Sequence, residues 1–252
     1  MARAFTCAGP AREVLLPGVT VHRFGGHDLI AAGVGPALAA ASTATALTAA
    51  ALGGTPYDLV VSAGIAGGFA PAAGGSRAPA ADVGLPPAAG AGHPSQAPAG
   101  APVGSLVLAD EITAADLGAE TGEGFLPVTE LGFGTVTHRP PASLVRAAGA
   151  ATGAATGTVL TVSTVTGTAA RADVLRARHP RALAEAMEGF GVAEAAGAHG
   201  VPVLELRAVS NPVGPRDRSA WRIGDALAAL TEGFGKLVPV LESWNPHESA
   251  ER

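Results

Sequence analysis

The chain has 252 residues and a mass of 24.5 kDa, with 48% hydrophobic and 15% charged residues, enough for one sizeable α/β domain. A formal net charge of −5 supplies no general basic surface, which argues against nucleic acid or an anionic membrane as a partner. The single cysteine, Cys7, excludes a disulfide framework, a Cys-rich zinc site and an iron–sulfur cluster. The first residues, Met1 to Phe5, carry no apolar core of a signal peptide, and no run of about 18 apolar residues avoids Gly, Pro and charge. A soluble, cytoplasmic protein without metal or cofactor is expected.

Gly and Pro divide the chain into short alternating elements. Val19 to Phe24 and His27 to Val34 alternate as a hairpin would, with Gly25 and Gly26 as its two-residue turn. Pro36 to Leu52 is nearly all Ala, Thr, Ser and Leu, begins on Pro and stops at Gly53. This predicts a small-residue helix able to lie close against a sheet. Tyr57 to Ala63 is a continuous apolar run, as in a strand covered on both faces, and Gly64 to Gly68 follows at once as a Gly-rich turn. Strand, helix and strand in that order predict parallel pairing in an α/β sheet.

Residues 71–102 are Ala, Pro and Gly with almost no large apolar side chains, too little to offset their ordering entropy. They read as a disordered insertion within a single domain of residues 1–252. Beyond them, Gly104 to Ala109 and Thr158 to Thr166 read as strands, and Arg181 to His199 as a helix stopped by Gly200. Val203 to Val209 is a strand ending at Ser210, Asn211 and Pro212, and a last helix runs near Asp225 to Leu241.

Several chemistries find no support. Gly64 to Gly68 lacks the G-x-G-x-x-G spacing of dinucleotide sites. No Gly-Lys pair precedes Ser or Thr as in a phosphate loop, and no G-x-S-x-G elbow is present. The seven His residues never fall at metal-ligand spacing, so no metal site is expected.

Three polar groups remain that a sheet's carboxyl edge could bring together: Gly64 to Gly68, Met187 with Glu188 on the predicted helix, and Ser210 with Asn211 after a strand. A Gly turn lets backbone amides approach a ligand, a carboxylate can accept both hydroxyls of a vicinal diol, and an amide can read a purine edge. On spacing alone, Glu188 serves equally well as a solvated helix residue three after Glu185. Asn211 before Pro212 serves equally well as the start of a turn.

The segments Val60 to Gly68, Ala186 to Gly189 and Arg207 to Asn211 resemble three hallmarks of the nucleoside phosphorylase and nucleosidase superfamily, in the same order and at similar spacing. More narrowly, Ala115 to Glu120, Thr161 to Thr168 and Glu185 to Ala193 resemble the futalosine hydrolase family, which cleaves hypoxanthine from futalosine in the alternative menaquinone pathway. The resemblance implies a phosphorylase/hydrolase-like three-layer αβα fold with a central mixed sheet, a nucleoside substrate and a homo-oligomer. By the same resemblance Gly64, Ile65, Ala66, Gly67, Thr166, Gly167, Met187, Glu188 and Ser210 would bind substrate, Glu188 taking the ribose diol with Met187 packed on the sugar.

Asn211 stands where adenine-specific relatives carry Asp. It would present its NH₂ to a 6-oxo group and its carbonyl to a protonated N7, which suits hypoxanthine. The water-activating carboxylate would be Glu13, although a second register aligns Ala11 with that position. Phosphorylases of the superfamily hold phosphate with an Arg near the Gly-rich segment. None lies between Phe24 and Arg77, so hydrolysis is implied. The futalosine side chain ends in a benzoate, which implies a cation on the ribose 5′ side. Arg216 and Arg218 are candidates, while Asp217 between them suggests a plain surface ion-pair cluster. The rival readings are another purine nucleosidase (methylthioadenosine/S-adenosylhomocysteine or aminofutalosine), a purine nucleoside phosphorylase, and a purine-nucleoside binding protein without turnover.

Overall fold

A computed structural model describes residues 11–71 and 100–245. Eleven strands and five α-helices follow in the order β1 (Arg12–Leu16), β2 (Val19–Phe24), β3 (His27–Ile30), α1 (Pro36–Leu52), β4 (Val60–Gly68), β5 (Leu106–Ala114), β6 (Gly118–Thr121), β7 (Gly124–Pro127), β8 (Thr137–His138), α2 (Ala142–Thr152), β9 (Ala155–Thr161), α3 (Ala169–Arg178), β10 (Ala182–Ala186), α4 (Gly189–Ala198), β11 (Val203–Pro212) and α5 (Ile223–Ser243). β1, β2 and β3 form an antiparallel meander, and β2 turns into β3 through Gly25 and Gly26 as the sequence predicts.

The central sheet runs β11-β4-β10-β9-β5-β8, with a further pairing of β11 to β5. It is mixed. β11 with β4, β10 with β9 and β5 with β9 are parallel, whereas β4 meets β10 antiparallel through Gly67 and Gly68. Because Leu206 on β11 also pairs with Leu108 on β5, five strands close into a ring. Its faces alternate with the pleat. Val203 and Val209 join the core beneath α1 and α4, while Leu204, Leu206 and Ala208 join the core beneath α2 and α5. Helices on both faces of a mixed sheet are the three-layer arrangement expected.

Helix α1 spans the residues predicted. Pro36 takes its first turn, and Ala39, Thr43, Ala46, Leu47 and Ala50 form its buried stripe. It crosses α4 so closely that a Cβ on Gly191 would overlap the Pro36 carbonyl oxygen. Thr168 caps α3 by accepting the Arg171 amide at 3.2 Å, and Gly153 ends α2 at φ 69°.

Two sequence expectations give way. Arg181 to His199 is not one helix, because Ala182–Ala186 is strand β10 and the helix begins only at Gly189. All five β10 residues are buried and all but Leu183 pair with β9, so tertiary burial overrides the helix preference of an Ala-rich run. Gly64 to Gly68 is likewise no turn but the second half of β4, paired with β11 over its length. The strand predicted over Thr158 to Thr166 ends at Thr161. Of the 71–102 insertion, residues 72–99 lie outside the described residues. Its flanks meet, with the Ala101 amide donating to the Phe69 carbonyl at 2.9 Å. Among the described residues, no helix is long and apolar enough to cross a membrane.

Candidate active site

A cavity of about 1530 Å³ opens beside β4, and its polar groups gather at the end where β4, β10 and β11 finish. Gly64, Ile65, Ala66 and Gly67 line it from β4, with Thr166, Met187 and Glu188 from the segments that follow β9 and β10, and Ser210 and Asn211 from the end of β11. The structure therefore brings these nine predicted residues to one cavity. Gly167 stands behind it, its carbonyl accepting the Arg216 amide at 3.2 Å. Glu13 is placed elsewhere. It lies on β1, its side chain 64% exposed, with His22 Nδ1 3.4 Å away, and it does not line the cavity. Among the described residues β1 pairs with β2 alone and turns this side chain outward, so the chain's own fold does not bring Glu13 to the cavity.

Glu188 sits at the junction between β10 and α4. Its Oε2 accepts Arg207 Nη1 at 3.1 Å, and its Oε1 faces the Gly35 amide at 3.4 Å. An ionised carboxylate has about four lone-pair sites, so two remain for a diol. Arg207 is fully committed below it. Nε donates to Glu205 Oε1 at 2.8 Å and Nη2 to Ser62 Oγ at 3.0 Å. The β4 glycines make room for this chemistry. A Cβ on Gly64 would come 2.5 Å from Arg207 Nη1, and one on Gly67 would come 3.3 Å from Asn211 Nδ2.

Glu205 is wholly buried. Desolvation pushes its carboxyl above the usual glutamate range, against the opposing pull of Arg207. Its Oε2 has no hydrogen-bond partner among the described residues. Glu185, on the cavity wall, is also raised by burial, although Thr166 donates to it from the amide at 2.8 Å and the hydroxyl at 2.5 Å. Ser210 donates to Asn211 Oδ1 at 2.8 Å, and Asn211 Nδ2 donates to the Pro212 carbonyl at 3.0 Å. One amide proton and one carbonyl lone pair of Asn211 are left to meet a ligand.

Sequence reasoning missed Arg207, Glu205 and Glu185 as parts of the site. The first two had a signal: Val203, Glu205, Arg207 and Val209 alternate along β11, so two charges share an apolar face. Among the described residues, the arginines on the cavity wall are Arg23, which pairs with Asp28 at 3.3 Å, and Arg207 with its two glutamates. No group of His, Cys, Asp and Glu suited to a metal ion occurs among the described residues.

No family model matches the chain. Among solved structures, it resembles a 5′-methylthioadenosine/S-adenosylhomocysteine nucleosidase from Colwellia psychrerythraea in complex with adenine. The TM-score is 0.71 at 21% identity, over 95% of this chain and 90% of that one. It also resembles native futalosine hydrolase of Helicobacter pylori, with TM-score 0.66 at 16% identity, over 94% and 91% of the two chains. Fold and cavity thus define an α/β protein of the nucleosidase fold. The particular family follows from sequence. The chain is 70% identical over 249 residues to the futalosine hydrolase of Streptomyces coelicolor, covering 98% of this chain and 93% of that protein. It belongs to the futalosine hydrolase family and is an N-glycosyl hydrolase.

Proposed function

We propose that this protein hydrolyses the N-ribosidic bond of futalosine, releasing hypoxanthine and dehypoxanthine futalosine in the alternative menaquinone pathway. The observation that carries the reading is that Glu188 and Asn211 line the same cavity. Gly64 beneath Arg207 and Gly67 beside Asn211 are three residues apart on an extended strand, roughly 10 Å. That distance spans a nucleoside from purine edge to ribose diol with a hydrogen bond at each end.

In this reading Glu188 accepts from the diol, with Met187 against the sugar. Its negative charge, fixed by Arg207 and Gly35, lies beside a ring that becomes positive as the glycosidic bond breaks. A preorganised charge of this kind stabilises the transition state more than the ground state. Asn211 donates to the 6-oxo group and accepts from protonated N7, so negative charge developing on the leaving purine is met by hydrogen bonds. Ser210 fixes the amide's orientation. Both described arginines on the cavity wall are already paired with carboxylates, which supports water rather than phosphate as the acceptor.

The reading places the enzyme in the cytoplasm as a homo-oligomer. The apolar side chains that β6, β7 and the following loop leave exposed support assembly: Leu117, Leu126, Leu131 and Phe133, the last 69% exposed. Light scattering above the 24.5 kDa chain mass tests this part.

The test of function is base release from futalosine, inosine, methylthioadenosine and aminofutalosine, each with and without phosphate, followed by chromatography. Hypoxanthine from futalosine, independent of phosphate, is the expected result. Adenine release would overturn the role of Asn211, and dependence on phosphate would move the protein to the phosphorylases. Binding without release would leave a nucleoside-binding protein.

A further inference from the structure

The segment after β11 carries Arg216, Arg218 and Trp221, of which Trp221 lines the cavity. Its geometry excludes the plain ion-pair cluster that Asp217 suggests from sequence. Asp217 turns to Ser219 instead, its Oδ1 accepting the Ser219 amide at 3.0 Å and hydroxyl at 2.5 Å. Those two bonds hold its carboxyl below the ordinary range. Among the described residues, neither Arg216 nor Arg218 has an acidic partner within salt-bridge distance. Both guanidinium groups lie over the Trp221 ring, at 5.1 and 5.8 Å from its centroid.

The segment is tied to the strand ends that carry the site. The Val213 amide donates to Gly68, the Arg216 amide to Gly167 and the Arg222 amide to Ser210, at 2.8, 3.2 and 2.8 Å. Trp221 lines the main cavity and also a recess of about 30 Å³ that Arg216 lines. Thr166 and Asn211 border both spaces, so the recess continues the nucleoside site rather than standing apart from it.

We propose that Arg216, Arg218 and Trp221 form a subsite for an aromatic carboxylate carried on the 5′ side of the substrate. The proposal rests on the futalosine reading, whose substrate ends in a benzoate. A guanidinium fork matches a carboxylate with two parallel hydrogen bonds, and the indole, which lines the cavity, gives the ring beside it an apolar neighbour. Stacking of the guanidinium groups on Trp221 holds the forks in place before substrate arrives.

The test compares futalosine with its methyl ester, in wild type and in R216Q/R218Q. Wild type is expected to prefer the acid through KM. The double variant loses that preference by roughly 10- to 100-fold, the worth of one charge-assisted hydrogen-bonded contact, while its turnover of the ester stays at the wild-type level. An acid-to-ester preference that survives in the variant overturns the subsite, as does an equal fall on both substrates. Should wild type release no base at all, the reading of function falls and binding judges the subsite. In W244F, Trp221 is the only tryptophan. Saturable quenching of its fluorescence by futalosine, abolished by R216Q/R218Q, upholds the proposal, and its absence overturns it.

Discussion

The base recognition proposed for Asn211 rests on one amide whose orientation is set by a neighbour. The Ser210 hydroxyl donates to Oδ1, which turns Nδ2 toward the Pro212 carbonyl and leaves one N–H for ligand. Asn211→Asp retains that support, because either carboxylate oxygen can accept from Ser210. The substitution gives up the Nδ2 bond to the Pro212 carbonyl, an exposed one, so its main effect falls on recognition. A carboxylate facing a 6-oxo group leaves two acceptors opposed, a mismatch of roughly 1–3 kcal/mol. Hypoxanthine release from futalosine should fall by about 10- to 100-fold, and adenine release from aminofutalosine should rise. Chromatography of both reactions decides it, and an unchanged base preference in the variant would remove Asn211 from base recognition.

At the scale of elements, β4 is a strand whose glycines are spaces for other strands' side chains. Sequence reading found these glycines and grouped them with Glu188 and Asn211, which line the same cavity, but took them for a flexible turn. A local window shows that a residue lacks a Cβ, not that Arg207 crosses above it. The same limit explains β10. Its alanines favour a helix locally, and only burial against β9 and the helices makes them a strand. The α1 helix and the β2–β3 hairpin were legible because Pro36, Gly53 and the Gly25–Gly26 pair act through the backbone next to them. The choice of Glu13 had no such support, since it depended on register alone. The crossing of Gly64 makes a sharp prediction. Gly64→Ala places a methyl group 2.5 Å from Arg207 Nη1, so the guanidinium must retreat from Glu188. Displacement of this order near a reacting centre lowers kcat/KM by about 10- to 100-fold. Gly235→Ala on α5, where nothing lies within 4 Å, should leave activity intact and add about 0.5–1 kcal/mol of stability. Wild-type kcat/KM in Gly64→Ala would show that the guanidinium does not position Glu188.

The whole molecule holds its site over a pair of buried carboxyls, and this ties fold stability to pH. Glu205 and Glu185 both titrate above an ordinary glutamate in the folded chain, chiefly because burial disfavours their charged forms. In the unfolded chain they release their protons near the ordinary value of about 4.3. Above that pH the unfolded state is charged while the folded state still retains protons. The folded state therefore binds more protons, and stability falls as pH rises from the unfolded toward the folded value. His179 acts with the opposite sign. Burial lowers its pKa, so stability is lost as pH falls below the ordinary histidine value. Wild type alone sums these slopes, whereas neutral isosteres separate them. Glu205→Gln keeps an acceptor for Arg207 Nε and removes a charge whose Oε2 has no partner among the described residues. Removing one partner of a buried ion pair costs stability when the other charge is left alone, but here Arg207 keeps its pairing with Glu188. Tm of Glu205→Gln relative to wild type should be lowest near pH 4 and climb as pH increases, by about 2–4 °C for each kcal/mol of lost penalty. Glu185→Gln should climb in the same direction, whereas in His179→Gln the advantage over wild type should grow toward acid. Thermal unfolding of the four proteins from pH 4 to 8 measures all three slopes. A flat difference for Glu205→Gln would mean that Arg207 outweighs burial and keeps Glu205 ionised throughout.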